Sequence, residues 1–397
     1  MTLLRSLLFL SLILFITNCG DLSKTEEVKK VSDQIASEFV PDSRVALFTV
    51  DITGHRSGVL LNGETTLPEA KEALFAALDE QNISYIDSID VLPSSDLNDM
   101  TFALVNNSAA NLRSEPKHSA QLATQAIMGM PLKVLKKRGG WYLVQAPDDY
   151  LSWVDSGGIE RMNKEQYMKW VDAPKLIYLD TFGFAYSSPN SNSEKVSDLV
   201  AGSILKVTGS SGSYHTVEYP DGRVAFVKKS ESQSLTEWEE QMAINHESLT
   251  TTAKTMIGAP YLWGGTSTKG MDCSGFTKTI YFMNGQIIPR DASQQVKAGV
   301  LIDSEKDWSK LEVGDLIFFG REATDTRSRA VTHVGMWIGN NQFIHSASNV
   351  HISSVDPSSE IYDEFNTNRY LEARRYLDNW DGNIIQTSTM YNALVEN

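Results

Sequence analysis

The chain has 397 residues, 41% of them hydrophobic and 21% charged, with a formal net charge of −15. At about 100–200 residues per domain, that length implies two to four domains. The hydrophobic share excludes a disordered chain, and 26 Gly with 12 Pro are too few for a collagen-like or low-complexity one. The acidic balance argues against nucleic acid as a partner. The two cysteines, Cys19 and Cys273, can form neither a disulfide framework nor a clustered cysteine metal site. No metal or other cofactor is expected.

In residues 1–18, Arg5 precedes an apolar run from Leu7 to Ile16. The run is shorter than the roughly 20 apolar residues that cross a membrane, and it suits the core of a secretory signal. It ends in Ile16-Thr17-Asn18-Cys19, which resembles a bacterial lipobox, although Asn18 departs from the usual small residue. Residues 1–18 are therefore expected to be a lipoprotein signal peptide, with Cys19 the lipid attachment point and 19–42 a polar tether. The expected location is the bacterial cell envelope, on its periplasmic side or at the cell surface, with the lipid holding the protein to the membrane. An ordinary signal peptide that discards Cys19 is the alternative.

Residues 43–95 read as a small α/β unit without evident chemistry. Arg44–Asp51 is rich in β-formers, Thr66 and Pro68 open a helix that runs to about Gln81, and Tyr85–Leu92 returns as a strand. A repeat follows. Leu132-Lys133-Val134 recurs as Leu205-Lys206-Val207, and the same offset carries Pro147-Asp148 onto Pro220-Asp221 and Trp153 onto Phe226. Short alternating β-runs separated by turn residues make each copy a small barrel, over 102–160 and 174–230. Leu235–Ala253 has a helical pattern and leads to a C-terminal domain at 240–378, with 379–397 as a tail.

In that domain, Cys273 precedes apolar residues at Phe276, Ile280 and Met283, which places it near the start of a helix. The positive end of the helix dipole there favours a thiolate. Three strands follow: 314–319, 332–338 and 342–347. A turn centred on Gly339 makes His333 and His345 direct cross-strand partners on one face. One histidine can then take the thiol proton while the other orients it, the arrangement that covalent acyl transfer needs. A buried structural cysteine and two unrelated structural histidines are the plainer alternative.

Tyr261-x-Trp263-Gly264-Gly265, Asp272-Cys273-Ser274-Gly275-Phe276, Pro289-Arg290, Gly314-Asp315-Leu316, His333-Val334-Gly335 and Phe343-Ile344-His345 together resemble the NlpC/P60 cysteine peptidases, and the two repeats resemble bacterial SH3-type domains. The resemblance implies an α+β papain-like peptidase domain preceded by two SH3-like β-barrels and the small α/β unit. It assigns Cys273 as nucleophile, His333 as base and His345 as the orienting residue, with murein peptides as substrate. The domain order is also similar to that of the γ-D-glutamyl-L-diamino-acid dipeptidyl-peptidases of muropeptide recycling. That subgroup implies substrate contacts from Glu115, Tyr150, Tyr261, Trp263, Asp272, Ser274, Asp291 and Ala292, with Asp291, Glu115 and Tyr150 around a free N-terminal amine. Ala292 replaces the subgroup's frequent serine, and Asp149 replaces its glycine before Tyr150. For Asp272 and Ser274 the alternative is helix capping. Asp315 reads as structural, and Arg321–Ala330 as a solvated loop. An endopeptidase on intact wall stems and a non-catalytic wall-binding lipoprotein are the competing functions.

Overall fold

A computed structural model describes residues 19–379 and 382–396. The expected signal peptide lies outside these residues. The chain divides into two compact units, one ending at Ser95 and the other starting at Asp96.

The first unit contains α1 (Cys19–Phe39), β1 (Phe48–His55), β2 (Gly58–Thr65), α2 (Pro68–Glu80) and β3 (Tyr85–Val91). β1 pairs antiparallel with β2, and α2 crosses over to bring β3 parallel to β2. Two expectations change here. The tether expected over 19–42 is largely helix α1, and it is packed in, not free on the surface, because Val28 and Val31 are buried in one core with Leu61, Leu74 and Ile89. Thr66 does not cap α2; its hydroxyl accepts a hydrogen bond from Leu47 N at 2.9 Å, and Leu67 is the N-cap residue.

The second unit begins with β4 (Phe102–Val105), β5 (Ala109–Arg113), β6 (Leu122–Ile127), β7 (Pro131–Arg138), β8 (Trp141–Gln145), β9 (Leu151–Asp155) and β10 (Ile159–Met162). Helix α3 (Lys164–Val171) leads into β11 (Lys175–Tyr178), β12 (Phe182–Tyr186), β13 (Lys195–Val200), β14 (Ile204–Ser211), β15 (Tyr214–Glu218), β16 (Val224–Lys228) and β17 (Ser232–Ser234). The strand orders are β10-β4-β7-β8-β9-β5-β6 and β13-β12-β16-β15-β14-β11-β17. These are one topology read from opposite edges. The offset that relates the two sequence copies carries each strand of the first sheet onto its counterpart in the second. Each barrel closes on its own core, around Leu112, Val134 and Val154 in the first and Leu205, Val217 and Val227 in the second.

The helix expected over 235–253 is split into α4 (Leu235–Gln241) and α5 (His246–Thr255). Asn245 causes the break: its side chain accepts from Glu247 N and Ser248 N, both at 2.9 Å, and so starts a new helix. The hairpin β18 (Thr266–Ser267) and β19 (Gly270–Met271) then precedes α6 (Cys273–Phe282), β20 (Gln286–Ile287), α7 (Ala292–Gln295) and β21 (Val300–Asp303). The remaining elements are β22 (Leu316–Arg321), β23 (Ala330–Gly339), β24 (Gln342–Ser346), β25 (Val350–Ser354), α8 (Glu364–Thr367), β26 (Tyr370–Arg375), β27 (Ile385–Gln386) and α9 (Met390–Glu396). A six-stranded antiparallel sheet, β21-β26-β22-β23-β24-β25, carries α6 against β23 and β24. Asp315 is structural: it is buried and receives Arg375 Nε and Nη2, both at 2.8 Å.

Within the expected tail, 379–397, the described residues 384–395 pack on the body of the unit. β27 pairs with β20, and Met390 and Tyr391 are buried among Leu104, Tyr167, Ile204 and Phe282, residues of both barrels and the peptidase domain.

Asp149 sits at φ +62°, and its repeat equivalent Gly222 at +85°. Both close the same turn, Asp149 N donating to Ala146 O and Gly222 N to Tyr219 O at 2.9 Å. The turn therefore survives the exchange, but Asp holds a left-handed conformation that costs an L-residue about 1 kcal/mol. Partial desolvation and the neighbouring Asp148 also push the exposed Asp149 carboxyl up. Asp149→Gly should accordingly raise the calorimetric unfolding midpoint by roughly 1–2 °C. A fall would mean that the bond from Gln145 to the Asp149 carboxylate outweighs both costs.

Candidate active site

Asp272 is the N-cap of α6. Its Oδ1 accepts from Gly275 N at 2.7 Å and its Oδ2 from Gly264 N at 2.9 Å. This fixes the turn that presents Cys273. Gly264 is required on two counts: its φ is +80°, and a Cβ there would lie 2.3 Å from Leu122 O of the first barrel. Arg290 completes the turn. It is 1% exposed and grips Asp272 twice, Nη1 to Oδ1 at 3.1 Å and Nη2 to Oδ2 at 2.7 Å. Its Nη1 also donates to Ser274 Oγ at 3.0 Å, and its Nε to Thr124 Oγ1 of the first barrel at 3.0 Å. Asp272 and Ser274 thus have internal partners. The sequence motif contains Arg290, but nothing in its spacing reveals this double role.

His333 and His345 meet on one face, though not as direct partners. The register is Met336↔Ile344 and Trp337↔Phe343, with a bulge before Gly339↔Gln342. Asn340 and Asn341, at φ +54° and +56°, form a two-residue turn rather than one centred on Gly339. His345 therefore faces position 335, where a Cβ would come within 3.2 Å of the His345 Cβ. With glycine there, the two rings meet diagonally, His333 Nε2 lying 2.8 Å from His345 Nδ1. His345 is 1% exposed. Its Nε2 lies 3.0 Å from Ser353 Oγ and 3.2 Å from His351 Nε2. His351 is missing from the sequence-predicted set, although a hairpin over 342–354 places it directly opposite His345.

Burial dominates the electrostatics. It pushes the Cys273 thiol up to about 12, Asp272 adding to the shift, while hydrogen bonds from the Val334 and Ser274 backbone and the Arg290 charge oppose it. Burial also pushes His333 down to about 4 and His345 down to about 2. Burial thus opposes charge on the thiol and on both imidazoles, so desolvation works against the thiolate expected from the helix dipole. A thiol at a helix start with two linked imidazoles has the parts that nucleophilic acyl transfer requires. Among the described residues, no cluster of three or more His, Cys, Asp or Glu is arranged to hold a metal ion.

The first barrel reaches this site. Tyr150 Oη donates to Asp291 Oδ2 at 3.2 Å across 141 positions of sequence. Beside it, the part-buried Lys278 of α6 donates to Asp148 Oδ2 at 2.5 Å. Gln125 and Thr266 exchange hydrogen bonds in both directions at 2.7–3.1 Å. Tyr261 is half-buried, and its phenol is pushed up to about 12 by burial and by nearby Cys273 and Asp272. Trp263 is 61% exposed. Ala292 starts α7 with its methyl in the peptidase core. Glu115 stands apart: it is exposed and bonded to Lys117 at 2.8 Å.

The raised Cys273 pKa has a measurable consequence. Iodoacetamide labelling of the Cys273 peptide, followed by mass spectrometry, should accelerate about tenfold per pH unit from pH 7 to 10, as expected for a thiol titrating well above that range. A plateau below pH 8 would instead reveal a preformed thiolate–imidazolium pair.

Residues 258–375 match the NlpC/P60 family, and residues 112–159 match the bacterial dipeptidyl-peptidase SH3 domain. A gamma-D-glutamyl-L-lysine dipeptidyl-peptidase of Bacillus cereus is 32% identical over 275 residues, 65% of this chain and 76% of that protein. A probable peptidoglycan endopeptidase of Bacillus subtilis is 38% identical over 135 residues, only 34% of this chain and 35% of that protein. The crystal structure of an NlpC/P60 family protein from Bacillus cereus superposes with a TM-score of 0.60 at 25% identity, covering 70% of this chain and all of that one. With the thiol–histidine site on its antiparallel sheet and an SH3-type barrel packed against it, the chain belongs to the NlpC/P60 family of peptidoglycan cysteine peptidases.

Proposed function

We propose that this peptidase hydrolyses the γ-D-Glu–L-diamino-acid bond of murein peptides that carry a free N-terminal L-Ala, releasing L-Ala-γ-D-Glu. The observation that carries this proposal is the Tyr150–Asp291 hydrogen bond. It sets an acid and a phenol from two domains at the start of α7, close to the nucleophile turn. A desolvated ammonium needs such acceptors, and a barrel packed at this place blocks longer N-terminal extensions. The similarity to the Bacillus cereus dipeptidyl-peptidase also extends well beyond the peptidase domain. Glu115 supplies the third acceptor once it exchanges Lys117 for the substrate amine.

In this mechanism His333 takes the Cys273 proton as the sulfur attacks the γ-carbonyl carbon of D-Glu. The tetrahedral intermediate collapses to a thioester, and the diamino acid leaves as an amine with the proton from His333. Water, deprotonated by His333, then hydrolyses the thioester and restores the thiol. His345 orients His333, Tyr261 and Trp263 line the groove, and Asp272, Ser274 and the Ala292 backbone shape its floor. We further propose that the protein is held to the envelope membrane by a lipid on Cys19.

L-Ala-γ-D-Glu-L-Lys should be cleaved about a hundredfold faster in kcat/KM than its N-acetylated form, the worth of a charged hydrogen-bonding site. Equal rates would overturn the exo-specificity, and peptide release from intact sacculi would favour an endopeptidase. Tyr150→Phe should lose about three- to tenfold in kcat/KM on the free peptide and much less on the acetylated one. For the anchor, Cys19→Ser should move the protein from the membrane to the soluble fraction in cell fractionation; an unchanged distribution would remove the lipid from the proposal.

A further inference from the structure

The histidine contacts extend one ring beyond the pair that the mechanism uses, and they have a direction. His351 Nδ1 lies 2.9 Å from the backbone oxygen of Asn349. A carbonyl only accepts, so Nδ1 of His351 carries the hydrogen. The Nε2 of a neutral His351 is then bare and can only accept. His345 Nε2, 3.2 Å away, must be the donor, which leaves His345 Nδ1 bare. His333 Nε2, 2.8 Å from that atom, must in turn carry a hydrogen. The ring nitrogen of His333 left free to receive the thiol proton is Nδ1.

We propose that His351 is a positioning residue: anchored on the Asn349 carbonyl, it sets the tautomers of His345 and His333 so that His333 keeps a bare Nδ1 for Cys273.

The neighbouring groups do not set this direction. Ser353 Oγ, 3.0 Å from His345 Nε2, donates or accepts equally well and follows whichever state the ring adopts. Asp363 Oδ2 is 4.0 Å from the same nitrogen, too far for a hydrogen bond, and it already accepts from Asn366 Nδ2 at 2.6 Å. Burial keeps His345 and His333 neutral, so each ring has one hydrogen to place, and the state of one ring dictates that of the next.

The inference rests on His333 acting as the base, but its primary test needs no substrate. Long-range ¹H–¹⁵N spectra of the full chain with labelled histidines report which nitrogen of each ring is protonated. The wild type should show His333 and His345 protonated on Nε2. His351→Gln, whose amide oxygen accepts the same hydrogen, should keep that pattern and most of kcat. His351→Lys, which can only donate, should invert it to Nδ1 in both rings. Its kcat should fall a hundredfold or more with KM held, since a catalytic histidine in the wrong tautomer can lose about 10⁴. If His351→Lys does not fold, His351→Leu should give mixed tautomers at His345. The same tautomer in every folded variant, or Nδ1 protonation of His333 in the wild type, overturns the proposal. Loss of the proposed bond specificity alone would leave it standing.

Discussion

The site depends on one buried ion pair. A guanidinium at 1% exposure must find acceptors for its donors, and Arg290 finds them in Asp272, Ser274 and Thr124. Asp272 is also the helix cap and the acceptor for Gly264 N, so a single carboxylate ties the Cys273 helix, the glycine loop and Arg290 together. Removing one partner of such a pair costs about 3–5 kcal/mol, whereas exchanging both for apolar residues is often neutral. Its contribution is therefore placement more than net stability: it determines where Cys273 stands relative to β23 and the first barrel.

The first barrel is structurally part of the peptidase. Lys278 and Asp148 form a second, part-buried pair across the junction, and Lys269 reaches both barrels through Ser108 and Asp198. Leu104, Ile127, Ile204, Phe282 and Met390 share a core drawn from three segments and the C-terminal helix. A tyrosine can only be held against Asp291 over 141 positions if the barrel carrying it cannot rock. These polar bridges and the shared apolar core restrain that motion from different sides.

The same burial that fixes the geometry controls the proton chemistry. Desolvation opposes charge on the thiol and on both histidines, which leaves hydrogen-bond direction as the means of polarising the site. Gly335 contributes by omission. Without a side chain opposite His345, the diagonal neighbours can close to 2.8 Å.

The sequence by itself determined the place of the thiol at a helix start and the repeat. Cys273 before a helical apolar period, two histidines on successive strands and a gapless internal copy are local patterns, and hydrophobic periodicity with turn chemistry reads them directly. Hairpin register was less accessible, because paired left-handed Asn340 and Asn341 and a bulge shifted the partner of His345 by two positions. The break at Asn245 was hidden because capping competes with helix continuation through a single side chain. What only the tertiary structure decided is long-range: the packing of α1 and of residues 385–396, the central place of Arg290, the contact of Tyr150 with Asp291, and the balance that opposes a thiolate at Cys273. Each depends on which groups are removed from water together, and desolvation is a property of the packed assembly, not of residue order.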